Sequence, residues 1–66
     1  MKIGDEPFER DQIVTYTDPY IKGRVCDAKY CLRREVKDVM FDFFEVEGQT
    51  LFCYPSETAK FFKEKL

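Results

Sequence analysis

Val36-Lys37-Asp38-Val39-Met40-Phe41-Asp42-Phe43-Phe44-Glu45-Val46, followed by Glu47-Gly48, is the stretch on which the fold turns. Read at a period of two, one face carries Val39, Phe41 and Phe43. The opposite face carries Asp38, Met40, Asp42, Phe44 and Val46. Successive side chains of a strand point to opposite faces, so the first face, wholly apolar over its middle, is expected to be core. The second face is mixed and too apolar to stand in water along its whole length; a helix, the N-terminal arm or a partner must cover part of it. Glu47-Gly48 places Gly where a two-residue hairpin turn needs it, and a fourth strand is expected over 49–54. Pro55 ends that strand. A short helix is expected over 57–65, with Ser56 as its N-cap. Glu57 stands near its positive end, and Lys63 and Lys65 near its negative end. Ala59, Phe61, Phe62 and Leu66 offer this helix an apolar face, and a helix of this length must dock to persist.

Upstream, the pattern is also that of strands. Residues 12–17 are rich in β-branched and aromatic types, and Asp18-Pro19 stops them in a turn. A second, long strand is expected over 21–32, bent at Gly23, with Arg33-Arg34-Glu35 as the polar tip before the third strand. Residues 1–10 are polar, carry Gly4 and Pro7, and show no period; they read as a flexible arm with Phe8 as its one anchor. The remainder, 11–66, reads as a single domain.

The chain has 66 residues, 11 of them basic and 13 acidic, for a net charge of −2. Such a length admits one small domain and excludes a two-domain enzyme with a cleft between its halves. Seven Phe and four Tyr supply large buried areas to so small a core. No apolar run approaches the roughly 20 residues that span a bilayer, and the N-terminus turns acidic at once, so neither a membrane segment nor a secretory signal is expected. Three Cys without a signal fit free thiols in a reducing cytoplasm.

Most catalytic chemistry lacks its residues. The sequence has no His, the usual general base near neutral pH. Ser56, the lone serine, is accounted for as a cap. Cys26, Cys31 and Cys53 fall short of the four Cys or His ligands of a structural zinc site. Asp38 and Asp42 share a strand face, but their Cα atoms lie about 13 Å apart on an extended chain, too far to share a proton. No catalytic residue, metal or cofactor is expected.

Binding remains, and charge is segregated. From Lys22 to Lys37 stand six basic residues, including Arg24, Lys29, Arg33 and Arg34, against two acidic ones. From Asp38 to Glu47 stand four acidic residues and no basic one. The basic hairpin, with Tyr20 and Tyr30 nearby, has the composition to follow a nucleic-acid backbone and stack bases. The net acidity argues against high affinity for phosphates, and cross-strand pairing of the opposite charges is the competing reading.

Asp11-Gln12-Ile13-Val14 followed by Gly23-Arg24-Val25 resembles the opening of SH3-like barrels of the KOW and Tudor type, over about residues 8–54. The resemblance implies a mainly β fold: a small antiparallel SH3-like barrel with one C-terminal helix. By the same analogy, Tyr16, Tyr20 and Phe43 or Phe44 would form an aromatic cage around a cation. The function expected from all of this is a non-catalytic protein-interaction module, an accessory or phage-type factor. A KOW-like or Tudor-like nucleic-acid-binding domain is the alternative. Tyr16, Tyr20, Arg24, Lys29, Tyr30, Arg33, Arg34 and Phe44 are the candidate binding residues. The expected partner is a protein, with nucleic acid second, no membrane, and a homodimer through an open strand edge as one simple form.

Overall fold

Two-residue turns and alternating strands dominate the computed structural model, which describes residues 4–65. Strands β1 (Ile13–Thr17), β2 (Val25–Val36), β3 (Val39–Val46) and β4 (Gln49–Cys53) are followed by helix α1 (Pro55–Phe61) and strand β5 (Phe62–Glu64). They form one five-stranded sheet in the order β4-β3-β2-β1-β5, antiparallel throughout. The fold is therefore mainly β with one short C-terminal helix. The sheet is open, with β4 and β5 at its edges.

Three turns set the register. Asp18 Oδ1 accepts the N–H groups of Tyr20 and Ile21 at 2.8 and 3.2 Å, closing the turn around Pro19. Glu47 and Gly48 have φ of 52° and 78°, the paired left-handed conformations of a type I′ turn, as the sequence predicts. The β2–β3 turn lies elsewhere than expected. Lys37 and Asp38 make it, with φ of 51° and 65°, although Lys does not favour that region and no glycine follows it. Arg33-Arg34-Glu35 is thus strand rather than tip, and β2 starts and ends later than the expected 21–32. Gly23, at φ 83°, belongs to the β1–β2 connection. The irregularity of β2 falls between Tyr30 and Leu32, where Cys31 is the extra residue of a bulge.

The core reverses the face expected of β3. Phe44 is completely buried at the centre, its ring stacked 3.6 Å from Phe62 and edge-on to Tyr30 at 5.2 Å. Val14, Tyr16, Ala28 and Phe8 complete the core. Phe41 and Phe43 are only half-buried and Val39 is exposed, on the other side of the sheet. The physical reason is Asp42. Its carboxylate lies on the Phe44 face, and that face can close over it because the charge is paired internally with Arg33.

The C-terminus differs as well. Pro55 suits the first helical turn because its missing N–H has no partner there anyway. The cap position is Tyr54, with no side-chain cap bond, so the capping role expected of Ser56 is not observed. The helix stops at Phe61 because Phe62 turns extended and pairs with Tyr16 on β1. Phe62-Lys63-Glu64 is strand, not the second half of a helix. Ala59 points to water, while Phe62 fills the core. The role expected of Leu66, like the first three residues of the arm, lies outside the described residues. Within them the arm is packed: Glu6 and Phe8 are buried, and the Phe8 ring meets Tyr30 at 5.7 Å and Phe44 at 6.2 Å.

Candidate functional site

The eight residues singled out from the sequence do not form one site. Tyr30 and Phe44 are core rings. Arg33 turns inward at the bulge and holds Asp42 with two bonds, Nε to Oδ1 at 2.7 Å and Nη2 to Oδ2 at 2.9 Å. Thr58 Oγ1, from α1, donates to the same carboxylate at 2.5 Å. Asp42 is 0% exposed, and a charge that deep is tolerable only when paired and fully hydrogen-bonded. Among the described residues no buried side-chain nitrogen or oxygen lacks a partner. Arg33 also donates from Nη1 to the carbonyl of Asp5, and its backbone N–H donates to Glu6. Glu6 in turn takes the Arg10 guanidinium at 2.9 Å. These bonds fasten the N-terminal segment to β2. The Arg10 hydrogen bond holds the Glu6 carboxyl below its usual range. Burial and then the Asp42 charge push the Tyr30 phenol far up.

The other basic residues named from the sequence are mostly engaged too. Arg24 pairs with Glu47 and reaches Asp18 at 3.7 Å, and Lys29 lies 3.9 Å from Glu45. Tyr16, Tyr20 and Arg24 do meet, around a cleft of about 360 Å³ between the 18–24 connection and the Glu47-Gly48 turn. An aromatic cage is not assembled there. Tyr16 is buried and stacked on Phe62 at 4.7 Å, Tyr20 is 92% exposed, Phe44 is in the core and Phe43 is on the opposite face. The cation standing between the carboxylates is Arg24 of the chain itself.

The surface that sequence reasoning missed is the outer face of β2, β3 and β4. The register brings Arg34 opposite Phe41, Val36 opposite Val39, and Phe43 opposite Phe52. Arg34, Val36, Phe41, Phe43 and Phe52 line a shallow groove of about 410 Å³. Tyr54 stacks on Phe41 at 5.3 Å, and Phe52 meets Phe41 edge-on at 5.5 Å. Phe52 and Tyr54 remain 60% and 53% exposed. Arg34 is the charge in the groove, and no carboxylate pairs with it among the described residues. The signal was present in the sequence, since the Val39-Phe41-Phe43 face is continuous with Phe52 and Tyr54. Alternation with so apolar a pattern predicts the interior for it, and the structure puts it outside.

Burial raises the Cys31 and Cys53 thiols away from the thiolate form. No group of three or more Cys, Asp or Glu side chains is placed to hold a metal ion among the described residues. No helix among them is long and apolar enough to cross a membrane. The fold defines the chain as a small antiparallel β domain with an aromatic outer face. No family model, curated protein or solved structure matches it.

Proposed function

We propose that this domain is a non-catalytic protein-interaction module that binds its partner through the outer aromatic face of β2, β3 and β4. The observation that carries this reading is the groove between Arg34 and Phe52. A contiguous apolar surface with exposed Phe and Tyr is costly to leave in water and is typical of contact sites. The cation on its β2 side, which no carboxylate pairs among the described residues, defines the partner's chemistry: an apolar surface presenting a carboxylate to Arg34. The SH3-like reading of the fold is supported by the connectivity. Helix α1 precedes the fifth strand, that strand pairs back with the first, and β2 passes from β1 to β3 around a bulge.

Nucleic-acid binding is the second reading. It is favoured by the same juxtaposition of exposed rings with Arg34 on a sheet face, a surface on which bases stack. Against it stands the engagement of Arg10, Arg24, Lys29, Arg33 and Lys65 with carboxylates.

Phe52→Glu decides the matter. Phe52 is exposed on an edge strand, so the variant folds. It loses a partner that the unaltered domain retains after nuclease treatment and in high salt. Retention of that partner by the folded variant refutes the proposed surface. Binding that vanishes with nuclease and falls steeply with salt selects nucleic acid instead.

A further inference from the structure

The two edges of the sheet are built differently. β5 is three residues long and carries Lys63 and Glu64, both exposed. Short, charged edges resist the addition of another strand. β4, Gln49-Thr50-Leu51-Phe52-Cys53, has no charged residue, no proline and no bulge. Its backbone is also poised outward. Glu47-Gly48 is a two-residue turn, so Val46 and Gln49 form a hydrogen-bonded pair, and alternation along the ladder makes Phe44–Leu51 and Asp42–Cys53 the next such pairs. Thr50 and Phe52 therefore turn their N–H and C=O groups away from β3. No backbone partner for either occurs elsewhere among the described residues.

We propose that β4 pairs with β4 of a second copy of this chain, antiparallel, about a two-fold axis at Leu51. In that register Thr50 of each copy faces Phe52 of the other, and the two outward residues of each strand satisfy one another. The match is self-complementary, as a two-fold interface requires. A strand without charge meets its own copy without like-charge repulsion. Alternation keeps each Phe52 side chain on the outer face, so the aromatic surfaces of the two copies join into one. The pairing does not depend on what that surface binds.

The test is the mass in solution of the full chain, under reducing conditions, from micromolar to millimolar concentration. The expected mass rises towards twice the 7.9 kDa of one chain. Thr50→Pro removes only an outward N–H and leaves the β3 ladder intact; it stays at the single mass where the unaltered chain has doubled. Thr50→Lys places a charge at the same edge without touching the backbone and gives the same result, deciding the matter if the proline variant does not fold. Phe41→Lys, on the outer face but away from the edge, still doubles. Amide exchange at Thr50 and Phe52 slows with concentration in the unaltered chain only. A single mass at every concentration overturns the proposal. So does doubling that survives folded Thr50→Lys, and in that case loss of doubling in Phe41→Lys assigns association to stacked aromatic faces.

Discussion

Truncating Phe44 and Phe41 in turn separates the two faces of β3. Phe44 is wholly buried, stacked on Phe62 and edge-on to Tyr30 and Phe8. Burying such a ring removes about 200 Å² from water, worth about 5 kcal/mol at roughly 25 cal/mol/Å². The unfolded chain already hides part of that area, so Phe44→Ala is expected to cost about 3–5 kcal/mol. A domain of 66 residues holds only about 3–10 kcal/mol in all, so this variant is mostly unfolded or close to it at room temperature. Phe41 is half-buried and loses mainly its contacts with Phe52 and Tyr54. At roughly 0.2–1 kcal/mol for each of these two ring contacts, Phe41→Ala costs about 0.4–2 kcal/mol. Urea unfolding followed by far-ultraviolet circular dichroism and tyrosine fluorescence measures both. A Phe41→Ala loss equal to or larger than that of Phe44→Ala would falsify the assignment of faces.

Asp42→Ala, which strands the Arg33 guanidinium in a part-buried site, is expected to lose about 3–5 kcal/mol. The double variant Arg33→Met with Asp42→Leu recovers most of that, and urea midpoints of the three chains check it. Lys37→Asn with Asp38→Gly places in the β2–β3 turn the residues that its positive φ values favour, and is expected to raise stability by about 0.5–2 kcal/mol, read as a higher melting temperature. Glu6 has a carboxyl held below its usual value of 4.5 by Arg10. Its contribution is complete above that pH and is lost as pH falls through the lower folded value. Thermal melts on either side of that pH should show a shallower acid decline for Glu6→Gln than for the unaltered chain, and equal declines would remove Glu6 from the account.

What was legible in the sequence followed local chemistry. Asp18-Pro19 and Glu47-Gly48 announce their turns by residue type, and β1, β3 and β4 lie close to where alternation puts them. The Lys37-Asp38 turn is illegible for the same reason, because Lys does not favour a positive φ and no glycine marks the turn, and the β2–β3 ladder ending in the pair Val36–Val39 holds it there. The end of the helix is likewise a tertiary decision. Phe61 and Phe62 satisfy a helical pattern as well as an extended one, and the free side of β1 together with the stack on Phe44 draws Phe62 out. Of the candidate residues, Arg34 alone lies in the aromatic groove. The rings beside it were read as core because alternation identifies two faces without saying which one is inside.

Asp42 and Cys31 together settle which face that is. A lone carboxylate among Met40, Phe44 and Val46 argues for water, and only a cation brought to the same side reverses the argument. Uninterrupted alternation from Tyr30 would turn Leu32 and Arg34 inward and Arg33 outward. One extra residue at Cys31 exchanges them. Arg33 then meets Asp42 inside, the Phe44 face closes over a paired charge, and Arg34 moves out among Phe41, Phe43 and Phe52. The buried ion pair and the exposed aromatic groove are thus two consequences of a single bulge. The cation that could have neutralised Asp42 in either register is divided into two neighbours, one used by the core and one left to the surface.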